Sequence, residues 1–496
     1  MKLHEILAYI DVSYTCSAAN KQINNIKLDS RKVQKGDLFI ALPGSVTDGR
    51  KYIHEAIKKG AIAILAEESC QFSSDTCPIP IVNIKELSKY LGRLANYFYQ
   101  SPSKTLKVIG ITGTNGKTSV CQYIAELLQY QAPCGLIGTL GIGFYGNLKN
   151  STHTTPDCIT LHETLASFKK QGAHYVSIEI SSHALMQNRV SHVHFDTAIF
   201  TNLSQDHLDY HKTMSEYWAT KLRLFMDYDP KHIIINLDDP YGRQLLRYVS
   251  KREKILGYTI KPKQDMSCEK LVLQTIAIEK NKIFAMLKTP FGDTEIEAPV
   301  IGCFNLSNIL AAICASVVYG CFNLEDISKR VQKLSTIFGR MQHLGGDEQP
   351  LVIVDYAHTP DALAKVLATL RLRCSGKLWC LFGCGGNRDK TKRSKMLSSA
   401  LEFSDKVIIT KDNPREEDPK KIIEDTLKGH HNTDKITIEL DRKKAIYEIL
   451  RIAHIEDIIL IAGKGHENYQ LIGTSKLPFS DISVAKKALA LRNKQC

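Results

Sequence analysis

Residues 110–119 read Gly-Ile-Thr-Gly-Thr-Asn-Gly-Lys-Thr-Ser. An apolar run (Leu106, Val108, Ile109) precedes them, and a helical pattern (Val120, Ile124, Leu127, Leu128) follows. Strand, glycine loop, Lys-Thr, helix is the order of a phosphate cradle. Glycines let backbone N–H groups turn onto phosphate oxygens, and the helix N-terminus adds partial positive charge. In that geometry Lys117 reaches the outer phosphates and the Thr118 hydroxyl holds Mg²⁺. The usual spacing wants glycine at position 111, which is Ile; glycines stand at 110, 113 and 116 instead. The regular spacing fails while the mechanics survive.

Working outward, 496 residues suggest about three domains. With 43% hydrophobic and 24% charged residues, the composition is that of a globular chain. No apolar run reaches the roughly 18 residues needed to span a membrane. The start, Met1-Lys-Leu-His-Glu, lacks a signal-peptide core, so a cytoplasmic protein with no membrane insertion is expected. The 14 cysteines include no C-x-x-C pair, which points to reduced thiols. Cys380 and Cys384 lie near a glycine loop, where packing is expected rather than metal ligation. The net charge of +13 is spread along the chain, without a basic tail or aromatic-basic interleaving. Anionic small molecules such as nucleotides explain that excess as well as nucleic acid does, and a generally basic solvated surface explains it most simply.

The chain reads as α/β throughout. Residues 1–101 hold short strand-like runs at Leu38-Phe-Ile-Ala-Leu, Ala61-Ile-Ala-Ile-Leu and Ile79-Pro-Ile-Val, a closing helix from Lys85 to Tyr99, and a linker at Ser101-Pro-Ser-Lys. Residues 102–338 alternate apolar strands (Val108-Ile-Gly-Ile, Tyr175-Val-Ser-Ile-Glu-Ile, Thr197-Ala-Ile-Phe, Ile233-Ile-Ile-Asn) with helical stretches. This predicts a P-loop ATPase-like domain with a mainly parallel sheet. Over residues 339–496 the alternation restarts (Leu351-Val-Ile-Val, Leu378-Trp-Cys-Leu-Phe, Lys406-Val-Ile-Ile, Ile458-Ile-Leu-Ile-Ala), which predicts a Rossmann-like doubly wound domain.

Chemistry-bearing residues cluster where strands hand over to loops, the place where open α/β sheets bind ligands. Glu179 ends one strand, just before Ser181-Ser-His-Ala-Leu, and a carboxylate there suits Mg²⁺. Residues 201–211 pack two histidines and two aspartates into eleven positions, which fits either a second metal site or a surface loop with helix caps. Lys221, fourteen residues after His207, reads as a helix-surface lysine. In the last third, four strand ends carry Asp355-Tyr-Ala-His358, Gly383-Cys-Gly-Gly-Asn-Arg388, Asp412-Asn-Pro-Arg415 and Gly463-Lys-Gly-His-Glu467. Arginine recognises carboxylates in a planar, bidentate way, and Glu467 and Asp412 offer acceptors to an ammonium. Such a set could hold an amino acid by both charged groups.

Together these residues resemble the Mur ligases, the ATP-dependent amide ligases of bacterial cell-wall precursor synthesis. The resemblance runs over nearly the whole chain. It includes Asp29-Ser-Arg, Gly36-Asp-Leu-Phe-Ile-Ala-Leu-Pro-Gly, Gly113-Thr-Asn-Gly-Lys-Thr, Asp206-His-Leu-Asp-Tyr-His, Phe304-Asn-Leu-Ser-Asn, Gly339-Arg-Met-Gln and Asp355-Tyr-Ala-His-Thr-Pro-Asp, in the family's order. The loop at 113–118 is the family's own variant of the phosphate cradle.

The resemblance implies that ATP phosphorylates a substrate carboxylate and that an amine displaces the phosphate. It assigns Gly113, Thr114, Asn115, Gly116, Lys117, Thr118, Ser119, Asn308, Arg340 and Asp355 to ATP, with His358 nearby. Ser30, Thr154, Thr155, Ser181, Gln187 and Arg189 fall to UDP-N-acetylmuramoyl-L-alanyl-D-glutamate, making the first domain a uridine-binding one. It assigns Mg²⁺ to Thr118, Glu179, His207 and a carbamylated Lys221, with Lys117, His207 and Lys221 as the catalytic set. The tetrapeptide Asp412-Asn413-Pro414-Arg415 accompanies meso-2,6-diaminopimelate in this family, and Arg388, Gly463 and Glu467 match the remaining amino-acid contacts. A monomer is expected. Asn387 stands where the family often has Asp, and Arg50 where His is common. The rivals are a lysine-adding ligase, a folylpolyglutamate synthetase (which lacks the domain bearing Ser30) and a phosphate-loop switch ATPase or GTPase.

Overall fold

Leu38–Ala41 and Ala63–Glu67 are apolar on both faces, as parallel strands covered on both sides must be, and the edge strand Ile81–Ile84 leaves Asn83 exposed. With Ile26–Lys27 they form a four-stranded parallel sheet in chain order. Leu38, Ile40, Ala63, Leu65, Val82 and Ile84 pack with Leu3, Ile6 and Leu7 of the helix Leu3–Tyr9. The alternate residues Phe39, Ala41, Ile64 and Ala66 meet Ile53 and Ala56 of the helix Ile53–Lys58.

The computed structural model describes residues 1–12, 20–44, 47–68, 77–261, 268–279, 282–320, 323–430 and 434–492. They fall into two compact units. One comprises Met1–Gly110, Leu128–Ala198 and Arg223–Lys231; the other comprises Ile111–Leu127, Ile199–Leu222 and the chain from His232 onward. The strands Lys107–Thr112 and Thr197–Phe200 run through the division.

Within the first unit, Tyr175–Glu179 pairs in parallel with Cys134–Gly138, which continues into the antiparallel strands Gly141–Phe144 and Asn147–Lys149. Within the second, His232–Asn236, Ile255–Thr259 and Glu269–Glu279 run parallel, then Lys282–Thr289 and Gly292–Ala298 add antiparallel strands.

The last sheet orders its strands Gln342–Gly345, Leu351–Asp355, Ile458–Ala462, Leu378–Phe382, Lys406–Ile409 and Ile436–Ile438, parallel except for the first pair. Side chains alternate across it. Ile353, Cys380, Phe382, Val407 and Leu460 face the helices Pro360–Arg371 and Arg393–Phe403. Val352, Val354, Leu381, Ile408 and Ile459 face Arg442–Ile452 and Asp481–Arg492. Each fully buried aliphatic side chain is worth about 1.5–3 kcal/mol. Between the last two helices a fully buried ion pair joins Arg442 Nε to Asp481 Oδ1 at 2.8 Å, and Arg442 Nη2 also donates to the Ala462 carbonyl. That bond anchors the strand end from which the loop at 463–467 departs.

Two local expectations change. The closing helix is Leu91–Phe98, preceded by a 3₁₀ turn at Leu87–Lys89, rather than one helix from Lys85. Glu86 adopts φ +54° and its N–H donates to the Glu67 carboxylate, which interrupts the helical path. The segment read as a linker is a packed 3₁₀ turn, Pro102–Lys104, whose Ser103 is buried and accepts the His194 N–H at 3.0 Å.

Candidate active site

The phosphate loop is held by the segment that follows the strand Thr197–Phe200. Thr114 N donates to the Asn202 carbonyl and Asn115 N to Asn202 Oδ1, while Thr201 Oγ1 donates to the Asn115 carbonyl. Gly116 has φ +87°, and a Cβ there would collide with Asn308 Oδ1. That position therefore needs glycine for conformation and space alike. Lys117 opens the helix Lys117–Leu128, and its Nζ donates to the Gly113 and Thr114 carbonyls at 2.8 and 2.9 Å. Thr118 Oγ1 accepts from Arg340 Nη2 at 3.1 Å, and the Arg340 guanidinium lies 4.3 Å from the Tyr356 ring centre. Asp355 does not meet Arg340 directly. Its oxygens accept the Met341 and Ala357 N–H groups, so it shapes the turn that carries Arg340; burial pushes its carboxyl upward.

Lys221 is no surface lysine. It sits on the helix Met214–Met226, 1% exposed, with Nζ donating to the same Gly113 carbonyl at 2.8 Å and lying 4.6 Å from the Tyr217 ring centre. Burial, then the neighbouring Lys117, push its ammonium well below the usual lysine range against the opposing pull of Asp206. His207, at φ +55°, lies edge-on to the same Tyr217 ring. Burial disfavours charge on Asp206, but Lys392 at 2.9 Å, His207 and His358 outweigh it and hold the carboxyl well below its usual range.

The four loops of the last sheet converge at its carboxyl ends. Asn413 Nδ2 donates to Glu467 Oε2 at 2.9 Å. Gly463 has φ +109°, and a Cβ there would press on Asp412 Oδ2. Pro414 backs onto Gly386, where a Cβ would strike its carbonyl. Arg415, at φ +53°, donates through Nη1 to the Gly386 carbonyl at 2.8 Å. Burial, then Arg388, lower the pKa of its guanidinium. Arg388 is the most open of the set, 3.8 Å from Asp209. Asn387 adopts φ +51°, a left-handed conformation that asparagine tolerates better than most residues, and its N–H donates to Glu417.

Arg393, with no exposed side-chain surface, ties these loops together. It donates to both Glu417 oxygens, to Asp425 and to the Gly385 carbonyl. Those bonds, Arg393 first, lower the Glu417 carboxyl from 4.5 to about 2. A depressed carboxylate stabilises the fold fully above its unfolded value and loses that contribution as pH falls through its folded one. Denaturant unfolding of wild type and Glu417→Gln should therefore differ most above pH 4.5 and converge toward about pH 2. A difference that stays constant across that window would contradict this.

In the first unit, Thr154, Thr155, Glu179, Ser181, Gln187 and Arg189 form one network. Thr155 Oγ1 donates to the Glu179 carbonyl and accepts the Ser181 N–H, and Ser181 caps the helix Ser182–Met186. Arg189 donates to the Thr155 carbonyl and, through Nε and Nη2, to Gln187. Glu179 accepts from the backbone and hydroxyl of Thr139, which also bonds Thr154. Ser30 stands apart, its hydroxyl donating to Glu55. Arg50 is committed to Asp48 in a paired, bidentate contact. Among the described residues ten cysteines are free, and burial pushes the Cys384 thiol up to about 11. No group of three or more His, Cys, Asp and Glu among the described residues is placed to hold a metal.

Sequence reasoning passed over Thr139, Lys392, Arg393, Glu417 and Lys464. Lys392, Arg393 and Lys464 look like solvated charges in a linear reading. Only their setting beside glycine loops at strand ends could have drawn attention to them.

Three family descriptions match along the chain: Mur ligase family, catalytic domain, over residues 22–99; Mur ligase middle domain over 111–316; and Mur ligase, glutamate ligase domain, over 339–465. The chain is 42% identical over 481 residues to the UDP-N-acetylmuramoyl-L-alanyl-D-glutamate–2,6-diaminopimelate ligase of Coxiella burnetii, covering 97% of this chain and 98% of that one. It is 45% identical over 469 residues to the protein of the same name in Pseudomonas aeruginosa, covering 94% and 95%. A solved structure of a ligase of that name superimposes with a TM-score of 0.67 at 35% identity, covering 99% of each chain. The phosphate loop, the strand-end loops and these likenesses agree: the chain belongs to the Mur ligase family.

Proposed function

We propose that this protein uses ATP to join meso-2,6-diaminopimelate to UDP-N-acetylmuramoyl-L-alanyl-D-glutamate; its relatives are named as ligases of that nucleotide peptide and 2,6-diaminopimelate. The observation that supports this most is a charge arrangement. At the carboxyl ends of one parallel sheet, two guanidiniums (Arg388, Arg415) and a carboxylate (Glu467) gather in the unit that also bears the phosphate loop. Two guanidiniums and a carboxylate suit an amino acid with an extra carboxylate and ammonium at its far end.

A carboxylate is a poor electrophile. Transfer of the γ-phosphoryl group to it releases ADP and makes an acyl phosphate. The diaminopimelate amine then attacks the acyl carbon, a proton leaves the nitrogen, and phosphate departs. Catalysis of this kind rests on positioning and charge neutralisation. The Gly113–Ser119 loop and Lys117 hold the phosphates, Arg340 and Asn308 serve the nucleotide, and Asp355 holds the Arg340 turn. Ser30, Thr154, Thr155, Ser181, Gln187 and Arg189 serve the UDP substrate. Arg388, Asp412, Asn413, Pro414, Arg415, Gly463 and Glu467 serve the amino acid.

The donor set suits Mg²⁺, a hard cation that takes few protein ligands and completes its shell with phosphate oxygens and water. Thr118 offers a hydroxyl, Glu179 a carboxylate and His207 an imidazole. Lys221 contributes as a carbamate, which its buried amine with its lowered pKa is suited to form. When bound, the ion neutralises charge on the transferring phosphoryl group. We assign domains to residues 1–101, 102–338 and 339–496, a monomeric state and a cytoplasmic location; no helix among the described residues is long and apolar enough to cross a membrane.

Phosphate release from ATP should require UDP-N-acetylmuramoyl-L-alanyl-D-glutamate and meso-diaminopimelate together, and fall to background when L-lysine replaces the latter. ATP hydrolysis independent of both substrates would favour a switch ATPase. Equal turnover with L-lysine would favour the lysine-adding branch.

A further inference from the structure

Lys464 has no role in the reading above, yet it is the most enclosed cation of the amino-acid loops, with 0% of its surface exposed. Its Nζ donates to Glu467 Oε2 at 2.8 Å and to Asn413 Oδ1 at 3.1 Å, and it lies 3.6 Å from Asp412 Oδ1. The same Glu467 Oε2 takes the Asn413 Nδ2–H, and the same Asn413 Oδ1 takes the Leu471 N–H. One ammonium therefore fixes the orientation of the Asn413 amide and turns Glu467 so that Oε2 is doubly engaged while Oε1 carries neither bond.

Charge accounting goes further. Asp412 and Glu467 carry two negative charges, and Lys464 and Arg415 carry two positive ones, so the four cancel. Of the other cations nearby, Arg388 faces Asp209 and Arg442 is paired with Asp481, while Arg340 and Lys476 lie over the Tyr356 and Tyr469 rings. His466 is neutral, its pKa lowered to about 3 by burial, then by Arg340 and Lys464. A balanced enclosure accepts a zwitterionic end, one ammonium and one carboxylate, without leaving net charge out of water. A lone ammonium on the same carbon chain would leave an uncompensated positive charge there. That is the difference between diaminopimelate and lysine.

We propose that Lys464 is a positioning and specificity-determining residue: it orients Glu467 and Asn413, and it cancels one carboxylate so that the site refuses a lone ammonium. This rests on the amino-acid reading of the Asp412–Arg415 and Gly463–Glu467 loops. Without Lys464, Asp412 and Glu467 outnumber Arg415, and the excess negative charge attracts the lysine ammonium.

The test uses the full-length enzyme in the phosphate-release assay, with Lys464→Met, Lys464→Gln and Lys464→Arg. In the neutral variants KM for meso-diaminopimelate should rise on the order of tenfold, with KM for ATP within about twofold of wild type. The ratio of kcat/KM for meso-diaminopimelate to that for L-lysine should fall by more than KM alone accounts for, because lysine gains. Lys464→Arg should keep more of that ratio than either neutral variant. A folded neutral variant with unchanged KM and ratio overturns the proposal. Parallel increases in KM for ATP and both amino acids also overturn it, since they mark general loosening. If neither neutral variant folds, Lys464→Arg decides: a raised KM for meso-diaminopimelate alone supports the proposal, and wild-type values overturn it. Glu467→Gln tests the underlying reading separately. An unchanged KM for meso-diaminopimelate in that variant removes these loops from the amino-acid site, whatever Lys464 does.

Discussion

Lys221→Ala should lower kcat on the order of 10³-fold, the size of loss seen when one element of transition-state charge stabilisation is removed, and high acetate or formate should restore part of the activity. The expectation starts from a crowded carbonyl. Lys117 and Lys221 both donate to the Gly113 oxygen at 2.8 Å. Two ammonium groups on one oxygen, one of them fully buried, is an unfavourable arrangement. Burial, then Lys117, push the Lys221 amine toward its neutral form. A neutral amine attacks CO₂: the N–C bond forms, a proton leaves the nitrogen, and a carbamate anion remains. The anion would sit beside Lys117, turning repulsion into attraction. Because the reaction consumes the neutral amine and releases a proton, carbamylation should rise with dissolved CO₂ and with pH. A small carboxylate in the space left by Lys221→Ala presents the same two oxygens as the carbamate. A folded Lys221→Ala enzyme of full activity would remove Lys221 from the site. A dead variant that no small carboxylate revives would leave the lysine as a cation and sink the carbamate.

How much was legible in the sequence depended on whether the deciding contact was local. Thr197–Phe200, Leu378–Phe382, Lys406–Ile409 and Ile458–Ala462 are strands over the very apolar runs that predict them, because a strand buried on both faces needs no partner to announce itself. The phosphate loop was readable for the same reason: strand, glycine turn and helix are consecutive. Glu86 was not readable, since its left-handed conformation is fixed by Glu67, nineteen residues earlier. The strand Lys282–Thr289 buries Ile283, Ala285 and Leu287 on one face, a period-two signal overlooked beside the stronger parallel runs. The buried cations were least visible. Lys221, Lys392, Arg393, Arg442 and Lys464 look like surface residues by composition, and each is buried where a carbonyl or carboxylate from a distant segment meets it. Of these only Lys221 enters the sequence reading as a candidate site residue, and only through family resemblance.

Arg415→Ala should reduce kcat/KM for meso-diaminopimelate on the order of 10²-fold, the usual loss for truncating one partner of a buried charged pair, while KM for ATP stays near wild type. The backbone there is fixed independently of the side chain: Arg415 N donates to the Leu471 carbonyl, and its own carbonyl accepts the Gly473 N–H at 2.7 Å. Its left-handed conformation, φ +53°, strains alanine no more than arginine, so the loop should survive. Within the guanidinium, both bonds to the protein, to the Gly386 and Asn413 carbonyls, come from Nη1. The Nε and Nη2 edge is left for a carboxylate in the bidentate, side-on manner. The lowered pKa of the half-buried guanidinium, with Arg388 as its second cause, marks a place that gains from an incoming anion. Lysine as a substrate brings no anion there, and without Arg415 the carboxylates Asp412 and Glu467 outnumber Lys464, so kcat/KM for lysine should hold or rise while that for diaminopimelate collapses. Arg415→Lys separates charge from geometry. A single ammonium cannot reproduce the fork, so this variant should be impaired nearly as much as Arg415→Ala. Full activity in Arg415→Lys would reduce the residue to a diffuse positive charge, and equal losses with diaminopimelate and lysine would take it out of the distal carboxylate contact altogether.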